Sequence, residues 1–106
     1  MYARRVSMTL KPNSVPDFTK LIDKDIIPIL RRQKGFQDEI TFVGPDGSKV
    51  LAISLWDTRQ SAEAYNGNAF AEVTKILSRV VEGTPTVDNY EVANSTWHKI
   101  AATSPV

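Results

Sequence analysis

Four aromatic side chains of this sequence could line a pocket for a small molecule: Trp56, Tyr65, Phe70 and Tyr90. Three polar side chains could hydrogen-bond to a ligand beside them: Asn66, Asn89 and His98. Small-molecule pockets combine apolar or aromatic walls with a few placed polar groups, so these residue types favour ligand binding. Tyr65, Asn66 and His98 carry a hydroxyl, an amide and an imidazole, which makes them the candidates for a catalytic role.

Several kinds of reactive centre are excluded by composition. The chain has no cysteine, which rules out disulfide scaffolds, thiolate zinc sites and cysteine nucleophiles. A single histidine cannot build a metal or haem site unaided. The sequence also contains no GxGxxG fingerprint and no glycine-rich phosphate loop. We therefore expect no metal and no other cofactor.

Length and charge narrow the class of protein further. A chain of 106 residues makes one domain, with a core expected over about 2–98 and a polar tail over 99–106. The net charge is +1, and no basic block exceeds two residues, which argues against a nucleic-acid partner. No segment is apolar over the ~20 residues of a membrane span. We expect a soluble, cytoplasmic protein that binds no membrane.

The elements that would position these side chains begin with a strand and a helix. Residues 2–10 place Val6, Met8 and Leu10 on one parity, the period-2 pattern of a half-buried strand. Turn residues follow, and a helix is predicted after Ser14. Its apolar positions recur at spacings of three and four: Phe18, Leu21, Ile22, Ile26, Ile29 and Leu30. Pro28 predicts a kink near residues 25–27.

A hairpin is predicted next. Residues 36–43 alternate Phe36, Ile40 and Phe42 with polar side chains, with Asp38 as the one polar residue on the apolar parity, which predicts a second strand. The Gly-Pro-Asp-Gly run at 44–47 is a tight turn, so a third strand at 49–56 should lie antiparallel beside the second.

The second half of the chain predicts two helical segments and a last strand. Asp57 or Thr58 caps a helix that breaks at residues 66–68 and resumes until the Gly-Thr-Pro run at 83–85. Residues 87–98 are extended in character and predict strand four. The order is βαββαβ, which predicts a ferredoxin-like α+β fold with a four-stranded antiparallel sheet covered by helices on one face.

The third strand also predicts a partner for the other face of the sheet. It is apolar on both parities, with Leu51, Ile53 and Leu55 on the side away from the helices. A strand that is apolar on both sides is covered on both sides. We therefore expect a homodimer formed by sheet-to-sheet packing, since two-fold dimers are the commonest closed assemblies.

Three sequence runs resemble the antibiotic biosynthesis monooxygenase family of dimeric α+β barrels. They are SLWDTRQSAEAY at 54–65, NAFAEVTKIL at 68–77 and PILRRQKGFQDE at 28–39. The resemblance covers residues 2 to about 98. This superfamily contains cofactor-independent quinol and polyketide oxygenases, haem-degrading enzymes and members without assigned chemistry.

The resemblance implies a cofactor-independent monooxygenase that oxidises a small phenolic or quinol-type aromatic compound. Such a site needs an aromatic-lined cavity between helices and sheet and a polar group near the substrate oxygen. The chain departs from the pattern of the haem-degrading branch, because Tyr65 and Thr74 stand near where that branch has Trp and His, and Arg4, Arg5 and Ser7 occupy the strand that carries its Asn. Arg4 and Arg5 point to opposite faces of a strand, so only one of them can enter a pocket.

Two other functions have to be weighed. An RNA-recognition domain shares the βαββαβ order, but its central strands need exposed aromatic residues that this chain lacks. A non-catalytic ligand-binding or purely structural dimer remains the alternative. The cavity under the helices separates these cases, because a sealed space filled by side chains favours the structural role.

Overall fold

A computed structural model describes residues 1–97 of the chain, so His98 and the predicted tail at 99–106 lie outside the described residues. The element order confirms the predicted α+β fold class. Its helices and strands are β1 (Tyr2–Leu10), α1 (Val15–Leu21), a π-helix (Ile22–Ile26), α2 (Ile27–Arg31), β2 (Phe36–Val43), β3 (Lys49–Trp56), α3 (Arg59–Gly67), α4 (Phe70–Leu77) and β4 (Val81–Glu91).

The four strands form one antiparallel sheet in the order β2-β3-β1-β4. The first three strands have the predicted bounds. Gly47 takes a φ of +75° in the turn between β2 and β3, and the Gly44 amide donates to the Lys49 carbonyl at 2.7 Å. That hairpin sets the register in which Val43 pairs with Val50.

The alternating apolar residues of β2 do not all lie on one face of the sheet, because the strand carries a bulge. The pairing with β3 shifts between Phe36 and Asp38, so the residues on either side of the bulge change faces. Phe36 lies on the helix side, where its ring meets Trp56 edge-on at 5.6 Å between centroids. Ile40 and Phe42 point away from the helices, and β2 presents polar side chains to the interior instead.

The predicted bounds of the last strand and of the helix before it were also wrong. Helix α4 ends at Leu77, and β4 runs over Val81–Glu91, six residues earlier than expected. The residues 83–85 form a bulge inside the strand, opposite the point where the β1 register shifts. Gly83 accepts a φ of +69° there, and Pro85 is tolerated because β4 is an edge strand.

The helices cover one face of the sheet. The predicted irregularity near Pro28 is confirmed as a π-helix over Ile22–Ile26. A proline ring clashes with the carbonyl four residues before it, here that of Lys24, which explains why the regular α-helical pattern is interrupted there. The main buried core unites strand and helix residues: Val6, Met8, Leu10, Phe18, Ile22, Ile26, Ile29, Leu30, Val50, Trp56, Ala62, Tyr65, Val73, Leu77, Val80 and Val81.

The second helical pair begins as predicted. Thr58 is the N-cap of α3, and its hydroxyl accepts from the Ser61 amide at 3.1 Å. The break between α3 and α4 falls at residues 68–69, next to the predicted one. None of the helices within residues 1–97 has the length and hydropathy needed to cross a membrane.

Candidate functional site

A cavity of about 40 Å³, partly open to solvent, lies between the helices and the sheet. The helices contribute only apolar walls to it, apart from Tyr65: Ile22, Ile26, Leu30, Phe70, Val73 and Leu77. Its polar side chains come from the sheet, where Arg4, Glu39 and Ser54 border the cavity. Two of the lining isoleucines belong to the π-helix, a distortion that is frequent at functional sites.

These polar residues form one row across the sheet. Ser54 of β3 pairs with Glu39 of β2 on one side and with Arg4 of β1 on the other, and Arg4 pairs with Asn89 of β4. Paired residues of neighbouring antiparallel strands point to the same face. We call Glu39, Ser54, Arg4 and Asn89 the polar row. It lies between rows of mostly apolar side chains, so it interrupts the core.

Arg4 is the most unusual member of the polar row, because its side chain is only 3% exposed. Its Nη1 donates to Asn66 Oδ1 at 2.9 Å, but Nε and Nη2 have no hydrogen-bond partner among the described residues. The guanidinium lies 4.6 Å from the centre of the Phe70 ring and 5.3 Å from that of Tyr65. Burial lowers the pKa of Arg4, yet a guanidinium stays charged in proteins. The site therefore holds a buried cation with donors available to an anion.

The neighbouring arginine confirms that only one of the pair enters the pocket. Arg5 points to the other face of the sheet, where its Nη2 lies 2.8 Å from Asp88 Oδ2. Its guanidinium also lies 5.6 Å from the centre of the Tyr90 ring. Tyr90 is 48% exposed on that face and does not border the cavity.

Tyr65 and Phe70 are the predicted aromatic residues that the structure brings to the cavity. Tyr65 is buried, and its ring stacks on Trp56 at 4.9 Å with an angle of 26° between the planes. Burial raises the pKa of Tyr65 to about 12, although the positive charge of Arg4 acts in the opposite direction. The Tyr65 hydroxyl is therefore protonated at neutral pH.

Trp56 supports the site from behind. It is fully buried and does not border the cavity, but it packs between Phe36 and Tyr65. Its indole N–H donates to Ser54 Oγ at 2.9 Å, which satisfies a buried polar group and fixes the serine. The tryptophan thus orients two residues that do border the cavity.

The predicted amide residues lie at the rim. Asn66 is exposed at the end of α3 and reaches the site through its hydrogen bond with Arg4. Asn89 is exposed at the β4 end of the polar row. Both border a surface groove of about 380 Å³ that Arg4 also borders. His98, the third polar candidate, lies outside the described residues.

Sequence reasoning missed Glu39 and Ser54 as site residues, and it left open whether Arg4 or Arg5 enters the pocket. Arg4 shares the parity of Val6 and Met8, so a charged side chain in a core row was a visible signal. Glu39 gave no such signal, because its face is set by the hairpin register that pairs it with Ser54, whereas the alternation within β2 groups it with exposed polar residues. Within residues 1–97, no group of three or more Asp, Glu or His side chains could hold a metal ion.

Comparisons with known proteins place the fold. No protein-family model and no curated sequence matches this chain. Solved structures do match over most of their length. A monooxygenase from the gene ActVA-Orf6 of Streptomyces coelicolor, in complex with nanaomycin D, has a TM-score of 0.75 at 18% identity, covering 89% of this chain and 88% of that one.

Two further structures agree. A mutant of SnoaB, a cofactor-independent oxygenase from Streptomyces nogalater, has a TM-score of 0.72 at 13% identity, covering 90% of this chain and 95% of that one. Rv0793 from Mycobacterium tuberculosis has a TM-score of 0.70 at 14% identity, covering 90% and 97%. Several other matches carry the name of the antibiotic biosynthesis monooxygenase family. This chain therefore has the fold of that family, as its sequence resemblance implies; at these identities the likeness extends to the fold alone.

Proposed function

We propose that this protein is a cofactor-independent monooxygenase that oxidises a small phenolic or quinol-type aromatic compound. The observation that carries the proposal is the buried Arg4 guanidinium, two of whose nitrogens have no hydrogen-bond partner among residues 1–97 and which lies beside the Tyr65 and Phe70 rings. Aromatic rings fit the plane of such a substrate, and a guanidinium binds the oxygen of its ionised form.

The chemistry requires little more from the protein. An ionised phenol is electron-rich and can give electrons to O₂ directly, so stabilising the anion activates the substrate. A ring C–H para to the oxygen becomes C=O, and the second oxygen atom leaves as water with two hydrogens from the substrate. The substrate supplies all four electrons that O₂ takes, so the reaction balances without a further reductant.

Entry of the substrate requires a change at Arg4. The cavity of about 40 Å³ is smaller than the roughly 150 Å³ that holds a benzene ring in a protein core. Arg4 borders both this cavity and the larger groove that Asn66 and Asn89 share. We propose that an aromatic ligand enters from the groove and replaces Asn66 as the acceptor for Arg4.

The structural neighbours support this proposal without deciding the substrate. One is a monooxygenase with nanaomycin D bound, and another is named a cofactor-independent oxygenase.

Oxygen uptake is the direct test. The purified protein, treated with a metal chelator, is supplied with a panel of quinols and anthrones, and O₂ consumption is followed with product analysis. Tyr65→Phe keeps the ring and removes the hydroxyl, so it should lower turnover while leaving folding nearly intact if that hydroxyl helps to hold the substrate oxygen. Absence of oxygen uptake across the panel contradicts the enzymatic proposal.

A second candidate function is favoured by the small cavity. A protein that binds an aromatic compound without oxidising it, or that serves as a structural dimer, needs no room for a reaction. Ligands of the same panel that raise the melting temperature without oxygen uptake would assign a binding role. A panel with neither effect would assign a structural one.

We also propose that the protein is a homodimer formed through the sheet face opposite the helices. The accessible apolar side chains of that face come from β2 and β3: Ile40, Phe42, Leu51 and Ile53. Ala3 and Leu55 lie on the same face but are already buried within one chain. Phe42 is 48% exposed there. Contiguous apolar surface of this kind marks interaction sites in soluble proteins. Light scattering at micromolar concentration should give twice the mass of one chain, and a clean monomer contradicts the proposal.

A further inference from the structure

The end of α3 places an asparagine directly before a glycine. Asn66 and Gly67 are the last two residues of this helix, and both are exposed. The sequence contains no other Asn-Gly pair. In such a pair the backbone nitrogen of the glycine can attack the side-chain amide of the asparagine, because no glycine side chain blocks its approach. The product of that attack is a five-membered cyclic imide.

The backbone at this pair has room for the attack. Backbone N–H groups in a helix are hydrogen-bonded to the preceding turn, so the last turn of α3 has to open first. Helix ends fray, and residues 68–69 already interrupt the helical path before α4. A methyl group at Gly67 would meet no atom of the described residues within 4 Å. Local opening of this turn therefore requires no rearrangement of the core.

Arg4 holds the group that would be attacked. Its Nη1 donates to Asn66 Oδ1 at 2.9 Å, so the amide oxygen already lies against a cation. Attack on the amide carbon moves negative charge onto that oxygen, and a charged donor binds an oxyanion more strongly than a neutral carbonyl. Arg4 therefore stabilises the tetrahedral intermediate more than the starting amide, which lowers the barrier. Because Arg4 belongs to β1, it can retain the side chain while the end of α3 opens.

The surroundings of Asn66 favour a carboxylate over the present amide. Arg4 is a buried cation, and among the described residues its guanidinium donates a hydrogen bond to Asn66 alone. Two other charged residues border the same groove, Arg59 and Glu63. They neutralise each other, because Arg59 Nε lies 2.8 Å from Glu63 Oε1. A carboxylate at position 66 would therefore gain an ion pair with Arg4 that the neutral amide cannot form.

We propose that Asn66 is a site of spontaneous modification, at which the side chain loses its amide and the resulting carboxylate pairs with Arg4. A bond forms between the Gly67 nitrogen and Asn66 Cγ, the bond from Cγ to the side-chain nitrogen breaks, and ammonia leaves with the proton of the Gly67 amide. Water then opens the imide and leaves an aspartate or an isoaspartate. The reaction needs no ligand and no second enzyme, so it stands apart from the proposed function.

Mass spectrometry follows the modification directly. The purified protein is kept in warm, mildly alkaline buffer and digested at intervals, and conversion of each asparagine is measured from the gain of about 1 Da that accompanies loss of ammonia and uptake of water. Asn68 is the internal control, because it is exposed at the same helix end but precedes an alanine and has no contact with Arg4 among the described hydrogen bonds. Asn66 should convert about 10-fold faster than Asn68 or more.

Three variants test the parts assigned to Arg4 and Gly67. Arg4→Met should slow conversion of Asn66 about 10-fold or more, the value of a charged hydrogen bond, whereas Arg5→Met on the other face should leave the rate unchanged. Gly67→Ala should also slow conversion, and its melting temperature should not fall, because the position is helical and open. Thermal melting confirms that each variant is folded. No conversion at Asn66, a rate equal to that of Asn68, or an undiminished rate in folded Arg4→Met overturns the proposal.

Asn66→Asp tests the ion pair without the wait for conversion. At neutral pH this substitution should raise the melting temperature of the wild type, because the new carboxylate pairs with Arg4. In the Arg4→Met background the same substitution should lower the melting temperature, because a carboxylate near a helix C-terminus is unfavourable. The comparison of the four proteins isolates the contribution of the pair. The same change of melting temperature in both backgrounds overturns the assigned pairing.

Discussion

The buried charge of Arg4 destabilises the folded protein. A buried charge loses its hydration, and Arg4 recovers only one hydrogen bond, to Asn66, among the described residues. Cation–π contacts with the rings of Tyr65 and Phe70 offset part of the hydration energy that the guanidinium loses. An apolar residue at this position would make the folded protein more stable. We therefore infer that Arg4 is there to bind a ligand.

This argument predicts opposite effects on folding and on binding. Arg4→Met keeps most of the side-chain volume and removes the charge, so the free energy of unfolding should stay level or rise by up to about 4 kcal/mol. Affinity for a phenolic ligand should fall about 10- to 100-fold, the value of a charged hydrogen bond. Urea denaturation and ligand titration measure the two quantities. Arg5→Met, on the other face, should leave ligand affinity unchanged; equal affinity in Arg4→Met would remove Arg4 from the site.

Tyr65 predicts a pH dependence at the alkaline end. The pKa is raised from 10.0 to about 12 by burial, so between these values the unfolded chain has lost the phenolic proton and the folded chain still holds it. Unfolding then releases a proton, and stability falls as the pH rises, by up to about 3 kcal/mol near pH 12. Urea denaturation at several pH values should show that the free energy of unfolding falls less steeply with rising pH in Tyr65→Phe than in the wild type. Identical curves for Tyr65→Phe and the wild type contradict the assignment.

At the scale of elements, the start of α3 sets the position of Tyr65 and Asn66. Thr58→Ala removes the hydroxyl that accepts from the Ser61 amide, and unfolding should become easier by about 1 kcal/mol. The same substitution inside a helix has the opposite expectation. Thr74→Ala, within α4, should be neutral or stabilising by up to about 0.7 kcal/mol, because alanine has the higher helix propensity. Chemical denaturation measures the free energy of unfolding of both variants. Equal losses of stability in Thr58→Ala and Thr74→Ala would contradict the prediction.

Elements with a regular period were predictable from sequence, and irregular ones were not. The strands at 2–10, 36–43 and 49–56 and the cap at Thr58 follow from alternation and turn residues. The bulges of β2 and β4 follow from pairing with neighbouring strands, which no local pattern encodes. Gly83 and Pro85 are typical of a loop, yet an edge strand accommodates both.

The same limit applied to the site. Tyr65 and Phe70 could be named as lining residues because the sequence shows which residues are aromatic and how they are spaced along the helices. Glu39 was missed because its face depends on pairing with Ser54 of β3, and the bulge before Asp38 places Phe36 on that same face although the two residues differ in parity.

For the whole molecule, the two faces of one sheet have separate roles in our proposals. The inner face carries the polar row, and the outer face carries the apolar surface proposed to bind a second copy. Strands β1 and β3 contribute to both, since their residues alternate between the faces. Packing of a second copy on the outer face would restrain β1 and β3, the strands that present Arg4 and Ser54 to the cavity. Substitutions on the outer face should therefore change the oligomeric state before they affect the site on the inner face.

Adjacent residues of β2 offer a matched test of this division. Phe42 and Val43 are both exposed, at 48% and 42%, and successive strand residues point to opposite faces. Phe42→Lys places two positive charges in the interface of a two-fold dimer, one from each copy, so light scattering should show a shift to monomer. Val43→Lys adds the same charge one residue away, on the other face, and should remain dimeric. A dimer that survives Phe42→Lys, or that Val43→Lys disrupts equally, would show that the copies do not meet through this face of the sheet.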